Sequence, residues 1–211
     1  MRKLNCILTF IIFTSLLACE PPVTFDEPQP SNTNSLSLFP RRFQGQFQST
    51  TDNSLLKITD KMISRIYDLD IIEHINQLDS NYRLVADTLI NTMTKEKTII
   101  KRKGDSIVQH IHYIDTLFLI SESNILKKFK GYCFLNFRYN KSNWQVIKLG
   151  LNKSKLSIGH ILTKEDIDKL KQISESTLDS LSYQFKPTKR QFKKFVKMDG
   201  FSNTETFLKV K

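Results

Sequence analysis

Tyr132-Cys133-Phe134-Leu135-Asn136-Phe137-Arg138-Tyr139 is the stretch that sets the fold class of this chain. Successive side chains of a strand point to opposite faces. Cys133, Leu135, Phe137 and Tyr139 therefore share one face, and Tyr132, Phe134, Asn136 and Arg138 the other. The first face is expected to be core. After a turn signal at Asn140-Lys141-Ser142-Asn143 the alternation resumes from Trp144 to Leu149, so the two runs read as a hairpin.

The same grammar extends outward from Phe39 to about Ile161. Short runs rich in Ile, Leu, Phe, Tyr and Thr are separated by Asn-, Asp-, Ser- and Gly-containing breaks. Strands are expected near 43–50, 54–60, 62–67, 70–77, 82–90, 95–102, 106–113, 116–122, 131–139, 144–149 and 154–160. Such spacing predicts an antiparallel meander, and no helix-length stretch interrupts it to allow βαβ crossovers. Beyond Ile161 the period changes. Thr163 caps an expected helix near 163–175, with Glu165 and Asp166 in its first turn and Ile167, Leu170 and Ile173 as its apolar stripe. Thr188 and Gln191 form a capping box for a second helix near 188–198, with Phe192, Phe195 and Val196 on one face and Asp199-Gly200 as the stop. Thr206 to Val210 reads as a last strand. The expected fold is mainly antiparallel β, a meander forming a barrel or a strongly bent sheet, with one or two C-terminal helices; the class is α+β.

The N-terminus has a different character. Arg2 and Lys3 precede the apolar run Ile7 to Leu17, which is too short for a comfortable membrane span and has the layout of a secretory signal. It ends in Leu16-Leu17-Ala18-Cys19, which resembles the lipobox of bacterial lipoproteins. The resemblance covers residues 1–19 and implies cleavage before Cys19, acylation of Cys19 (with chains such as palmitate), and a place in the bacterial cell envelope. With Glu20 after the cysteine, the expected membrane is the outer one, on either its periplasmic or its surface face. Residues 1–18 are then the signal peptide. Residues 19–38, which hold Pro21, Pro22, Pro28 and Pro30 followed by Ser31-Asn32-Thr33-Asn34-Ser35, read as a flexible tether. Residues 39–211 read as one globular domain, a size that supports a real core.

Losing Arg2 and Lys3 on cleavage takes the net charge from +11 to +9. A basic chain invites nucleic acid, but an envelope location argues against it. The expected partners are the membrane, through the acyl anchor, and an unknown envelope protein, glycan or lipid. Cys6 leaves with the signal and Cys19 is acylated, so Cys133 stands alone and no internal disulfide is possible.

No site with a chemical signature emerges. His110 and His112 lie on one side of an expected strand and, with His74 or His160, have the residue types of a zinc site, but without HExxH-type spacing no metal is assigned. Cys133, flanked by Tyr132, Phe134, Leu135 and Phe137, reads as a buried thiol rather than a nucleophile. GxSxG, P-loop, GxGxxG and paired-carboxylate patterns are missing, so no cofactor or catalytic residue is assigned and the chain is read as non-enzymatic. Cys19 is the single assigned site residue. The second helix surrounds its aromatic stripe with Lys186, Lys189, Arg190, Lys193, Lys194 and Lys197, a pattern that suits either a solvated face or an anionic partner.

A strand meander followed by a helix resembles the element order of lipocalins. That family marks its first strand with Gly-x-Trp; here Gly45-Gln46-Phe47 has Phe where Trp belongs. Two functions follow: a non-enzymatic binding or interaction module and, as the alternative, a lipocalin-like carrier of a small hydrophobic ligand.

Overall fold

The computed structural model describes residues 23–179 and 182–210. In chain order, β1 (Val23–Phe25), β2 (Ser35–Leu36), β3 (Gly45–Ser49) and β4 (Leu55–Ile58) lead into the long β5 (Met62–His74). The short strands β6 (Tyr82–Val85), β7 (Thr88–Asn91), β8 (Lys97–Ile99) and β9 (Lys101–Lys103) precede a second long strand, β10 (Ser106–Leu119). Then come β11 (Asn124–Phe129), β12 (Tyr132–Arg138), β13 (Trp144–Asn152), β14 (Lys155–His160) and helix α1 (Lys164–Lys171). The chain continues with β15 (Ser176–Asp179), β16 (Ser182–Phe185), helix α2 (Lys189–Lys197) and β17 (Asn203–Lys209).

The protein is mainly antiparallel β with two helices, as expected. One sheet runs β2-β11-β12-β13-β14-β17-β3-β4-β5-β10-β9, with β1, β16 and β15 attached beside the start of β13. Only the β1–β16 pairing is parallel among the described residues. The sheet bends so far that Phe118 of β10 meets Phe137 of β12 edge-on, with ring centroids 5.1 Å apart. No ladder joins β10 or β9 to β2 or β11, so the sheet is strongly bent and not closed into a barrel. Its concave face is filled by side chains: Phe39, Phe43, Phe47, Phe118 and Phe207 are each at most 2% exposed.

The opposite face carries a second core under α1 and α2, where Phe25, Phe134, Phe185, Phe192, Phe195 and Phe201 cluster. Both helices start as the sequence predicts: Thr163 Oγ1 accepts from the Asp166 N–H, and Thr188 and Gln191 form the capping box. This two-sided burial corrects the reading of the Tyr132–Tyr139 strand. Cys133 and Leu135 enter the first core, but Phe134 enters the second, so β12 has no solvent face along its centre.

The reading of 19–38 as a flexible tether is also corrected, for residues 23–38. Val23 and Phe25 are buried in a strand between β13 and β16. Asn136 Oδ1 accepts the Gln29 N–H at 2.6 Å, and Lys127 Nζ donates to the carbonyls of Pro28 at 2.6 Å and Pro30 at 2.9 Å. A proline-rich segment forms few hydrogen bonds of its own, but here two buried polar side chains from distant strands supply them.

The expected strands 62–67 and 70–77 are one strand, β5, and 106–113 and 116–122 are one strand, β10. The expected strand 82–90 is instead the hairpin β6–β7, turned at Ala86, which has a φ of 51°. β11, β15 and β16 were not expected. In β11 the paired Lys127-Lys128 hides the pattern, because Lys127 is buried with its ammonium on carbonyls. β5 and β10 extend as a two-stranded ribbon that ends in the β6–β7–β8 sheet, which has a small core of Leu89, Ile100 and Ile107.

Candidate functional site

Cys19, Leu16-Leu17-Ala18 and the whole signal peptide lie outside the described residues. The first described residue is Val23, so only residues 20–22 separate Cys19 from β1.

The four histidines do not converge. His110 and His112 share a face of β10, as the spacing predicts, and face Asp68 and Asp70 across the ladder. The two ring nitrogens of His110 lie 3.0 Å from Asp68 Oδ1 and 2.9 Å from Asp70 Oδ1. His74 sits further along the ribbon beside Ser106 Oγ. His160 is on β14 in the body, where burial lowers its pKa against the opposing pull of Glu205, 3.8 Å away. No group of three or more His, Cys, Asp or Glu side chains is placed to hold a metal among the described residues. Cys133 is fully buried, and desolvation pushes its thiol up to about 12, leaving no thiolate to attack a substrate.

A concavity lies elsewhere, across neighbouring ends of β12, β13 and β14 and over β17. It is a basin of about 570 Å³ lined by Arg42, Lys130, Gly131, Tyr132, Gly150, Leu151, Asn152, Lys155, Ser157, Thr204 and Thr206. The β11–β12 hairpin builds one wall. Phe129 pairs with Tyr132 across a two-residue turn in which Lys130 and Gly131 have φ of 49° and 87°, the left-handed pair a tight hairpin requires. The Arg42 guanidinium donates to the Gly131 carbonyl and anchors the turn. Gly150 keeps the floor low: a Cβ there would lie 2.7 Å from Ser157 Oγ. Thr204 and Thr206 face the basin while Glu205, between them, points away to Arg65 and His160. Three cations, three hydroxyls, one amide and one phenol thus line the basin without a carboxylate.

A second groove, of about 260 Å³, adjoins the first through Lys130 and Tyr132. Its far wall is α2, which contributes Lys193, Val196 and Lys197, opposite Phe129. α2 docks by Phe192 and Phe195, both fully buried, and turns its basic residues outward. Among the basic residues singled out around this helix, Lys186 is paired with Asp26 at 3.3 Å and Lys189 donates to the Asn32 carbonyl at 3.2 Å. The basin itself was not legible in the sequence. Arg42, Lys130 and Lys155 come from three separate segments, share no motif, and are brought together only by the curl of the sheet.

A cavity of about 130 Å³ lies between Ile63, Leu117, Leu135, Phe137, Ile147 and Ile158, with Arg65, His160 and Glu205 at its rim. Ligand pockets usually offer roughly 300–1,000 Å³. No helix among the described residues is long and apolar enough to cross a membrane. No protein family, curated protein or solved structure matches this chain.

Proposed function

We propose that this chain is a lipid-anchored, non-enzymatic binding module of the bacterial envelope, and that its basic basin and the adjoining α2 groove take an anionic ligand. The observation that carries the reading is the continuous carboxylate-free surface formed by Arg42, Lys130, Lys155, Lys193 and Lys197 around Tyr132. Cations with hydroxyl and amide donors bind phosphate or carboxylate groups, and an aromatic ring beside them packs on a sugar face or an acyl stem. The shared chemistry is an anionic headgroup on a glycan or lipid.

The short link from Cys19 to β1 supports a position close to the bilayer. At roughly 3.3–3.6 Å per residue, the steps from Cys19 to Val23 span about 14 Å at most. An acylated Cys19 therefore holds the start of β1, and the paired Tyr183 beside it, near the headgroups.

The alternative, a lipocalin-like carrier of a small hydrophobic ligand, has less support, because phenylalanines occupy the concave face and the cavity lined by Ile63, Leu135 and Ile158 is only about 130 Å³.

The test is co-sedimentation of the Cys19→Ser chain lacking residues 1–18 with vesicles containing phosphatidylglycerol, or its retention on an immobilised uronic-acid polysaccharide. Arg42→Gln, Lys130→Gln and Lys155→Gln together are expected to weaken binding at least tenfold at low salt. Equal binding by the parent and the triple variant overturns the reading.

A further inference from the structure

The ribbon formed by β5 and β10 has two features that neither the cores nor the basic basin uses. The first is its open edges. β4 pairs with β5 only over Ile63–Ile66, and β9 pairs with β10 only over Ser106–Val108. The outer edges of Tyr67–His74 and of Gln109–Asp115 thus carry backbone N–H and C=O groups with no ladder partner among the described residues. Exposed edges in soluble proteins are normally protected by Lys, Pro, bulges or covering loops. Gln109-His110-Ile111-His112-Tyr113-Ile114-Asp115 contains no Lys, Arg, Pro or Gly, and the bulge of β10 comes only later, between Thr116 and Phe118.

The second feature is the chemistry of the two faces. The chain has 32 Lys and Arg, yet none occurs from residue 66 to 82 or from 104 to 126. One face of the ribbon stacks Asp68 opposite His112 and Asp70 opposite His110. The other stacks Tyr67 on Tyr113, with ring centroids 6.2 Å apart, then Leu69 opposite Ile111 and Ile71 opposite Gln109. Leu69, Ile71 and Tyr113 on this face are 40–57% exposed, and Ile72 and Ile114, which alternate onto the Asp/His face, are 62% and 54% exposed. A two-stranded ribbon is marginal alone in water, and clustered exposed apolar side chains mark interaction sites.

We propose that this ribbon is a docking arm that accepts an extended segment of a partner protein as an added strand along Gln109–Asp115. Backbone groups of the open edge supply the pairing. Because side chains of an added strand alternate between the faces, the partner segment places basic residues on the face that carries His110 and His112, with Asp68 and Asp70 behind them on β5, and apolar residues on the Tyr113/Ile111 face. Charge selects against a second copy: segments 66–82 and 104–126 contain Asp and Glu but no Lys or Arg, so pairing two copies would bring together two acidic ribbons and two strongly basic bodies. This surface is separate from the basic basin and does not depend on it.

The experiment uses the full chain in detergent micelles and, as probe, a labelled nine-residue peptide alternating Lys and Val. Fluorescence polarisation measures binding, and hydrogen exchange locates it. The expected result is saturable binding that slows exchange at 109–115. Proline in place of the central Val, Glu in place of every Lys, or the paired variant Asp68→Asn/Asp70→Asn should each weaken it at least tenfold. Tyr113→Lys should do the same, with hydrogen exchange across the β5–β10 ladder checking that the ribbon stays paired without the Tyr67 stack. Equal binding of the Glu peptide, protection confined to other segments, or no binding at all overturns the proposal. So does a dimer by sedimentation velocity in which 109–115 are already protected, since the occupant would then be a second copy.

Discussion

Replacing Asn136 by Ala tests whether the proline-rich N-terminal segment belongs to the folded domain. Asn136 and Gln29 both have no exposed surface. The Asn136 Oδ1 accepts the Gln29 N–H at 2.6 Å, and its Nδ2 lies 3.0 Å from the Gln29 carbonyl, with the carbonyls of Ile125 and Phe134 at 3.1 and 3.2 Å. Truncation leaves the Gln29 N–H and C=O without these partners in a site closed to water. At about 1–3 kcal/mol for each buried polar group left unpaired, the expected loss is roughly 2–6 kcal/mol. With a urea m-value of about 2 kcal/mol/M, that lowers the unfolding midpoint by about 1–3 M. The assay is urea unfolding of the Cys19→Ser chain lacking residues 1–18, followed by tryptophan fluorescence, because Trp144 pairs with Phe25 at the base of the same segment. Hydrogen exchange at the Gln29 amide provides the local readout and should accelerate at least tenfold. A midpoint shift below about 0.3 M, with the Gln29 amide exchanging freely in the parent as well, would refute the reasoning and restore 23–38 as an independent tether.

Two further outcomes are expected. Asp52 is affected first by partial burial, which raises its pKa, but hydrogen bonds from Ser54 and Ser49 and the charge of Arg65, 2.8 Å away, outweigh this and bring it down to about 2. Because the folded value lies below the ordinary 3.8, its contribution to stability is fully present above pH 3.8 and is lost as the pH falls toward 2. Arg65→Met should raise the Asp52 titration midpoint by carboxylate NMR and flatten that part of the stability-versus-pH curve; an unchanged midpoint would count against the pairing. Gly200→Ala should be severe, because a Cβ there would sit 2.0 Å from the Phe195 ring in the second core. Overpacking of this kind costs about 1–3 kcal/mol or more, read as a lower unfolding midpoint; a neutral substitution would mean that Phe195 repacks without cost.

Local chemistry made part of this protein legible in one dimension. The strands at 132–138 and 155–160 follow from period-2 alternation, and both helices from threonine caps whose hydroxyls accept the first free N–H groups. The burial of Cys133 follows from its aromatic neighbours. These readings depend on interactions within a few residues, which sequence order preserves. Tertiary structure alone decided the rest. β1 is a strand because β13 and β16 offer it a slot, and residues 26–31 are ordered because Asn136 and Lys127 reach them from distant strands. The Asp and His residues that broke the pattern of β5 and β10 are compatible with continuous strands because that ribbon leaves the body and its faces meet water. The basic basin exists because a bent sheet brings Arg42, Lys130 and Lys155 to one rim. Each of these contacts joins segments far apart in the chain, and no local spacing rule records which distant segment a residue will meet.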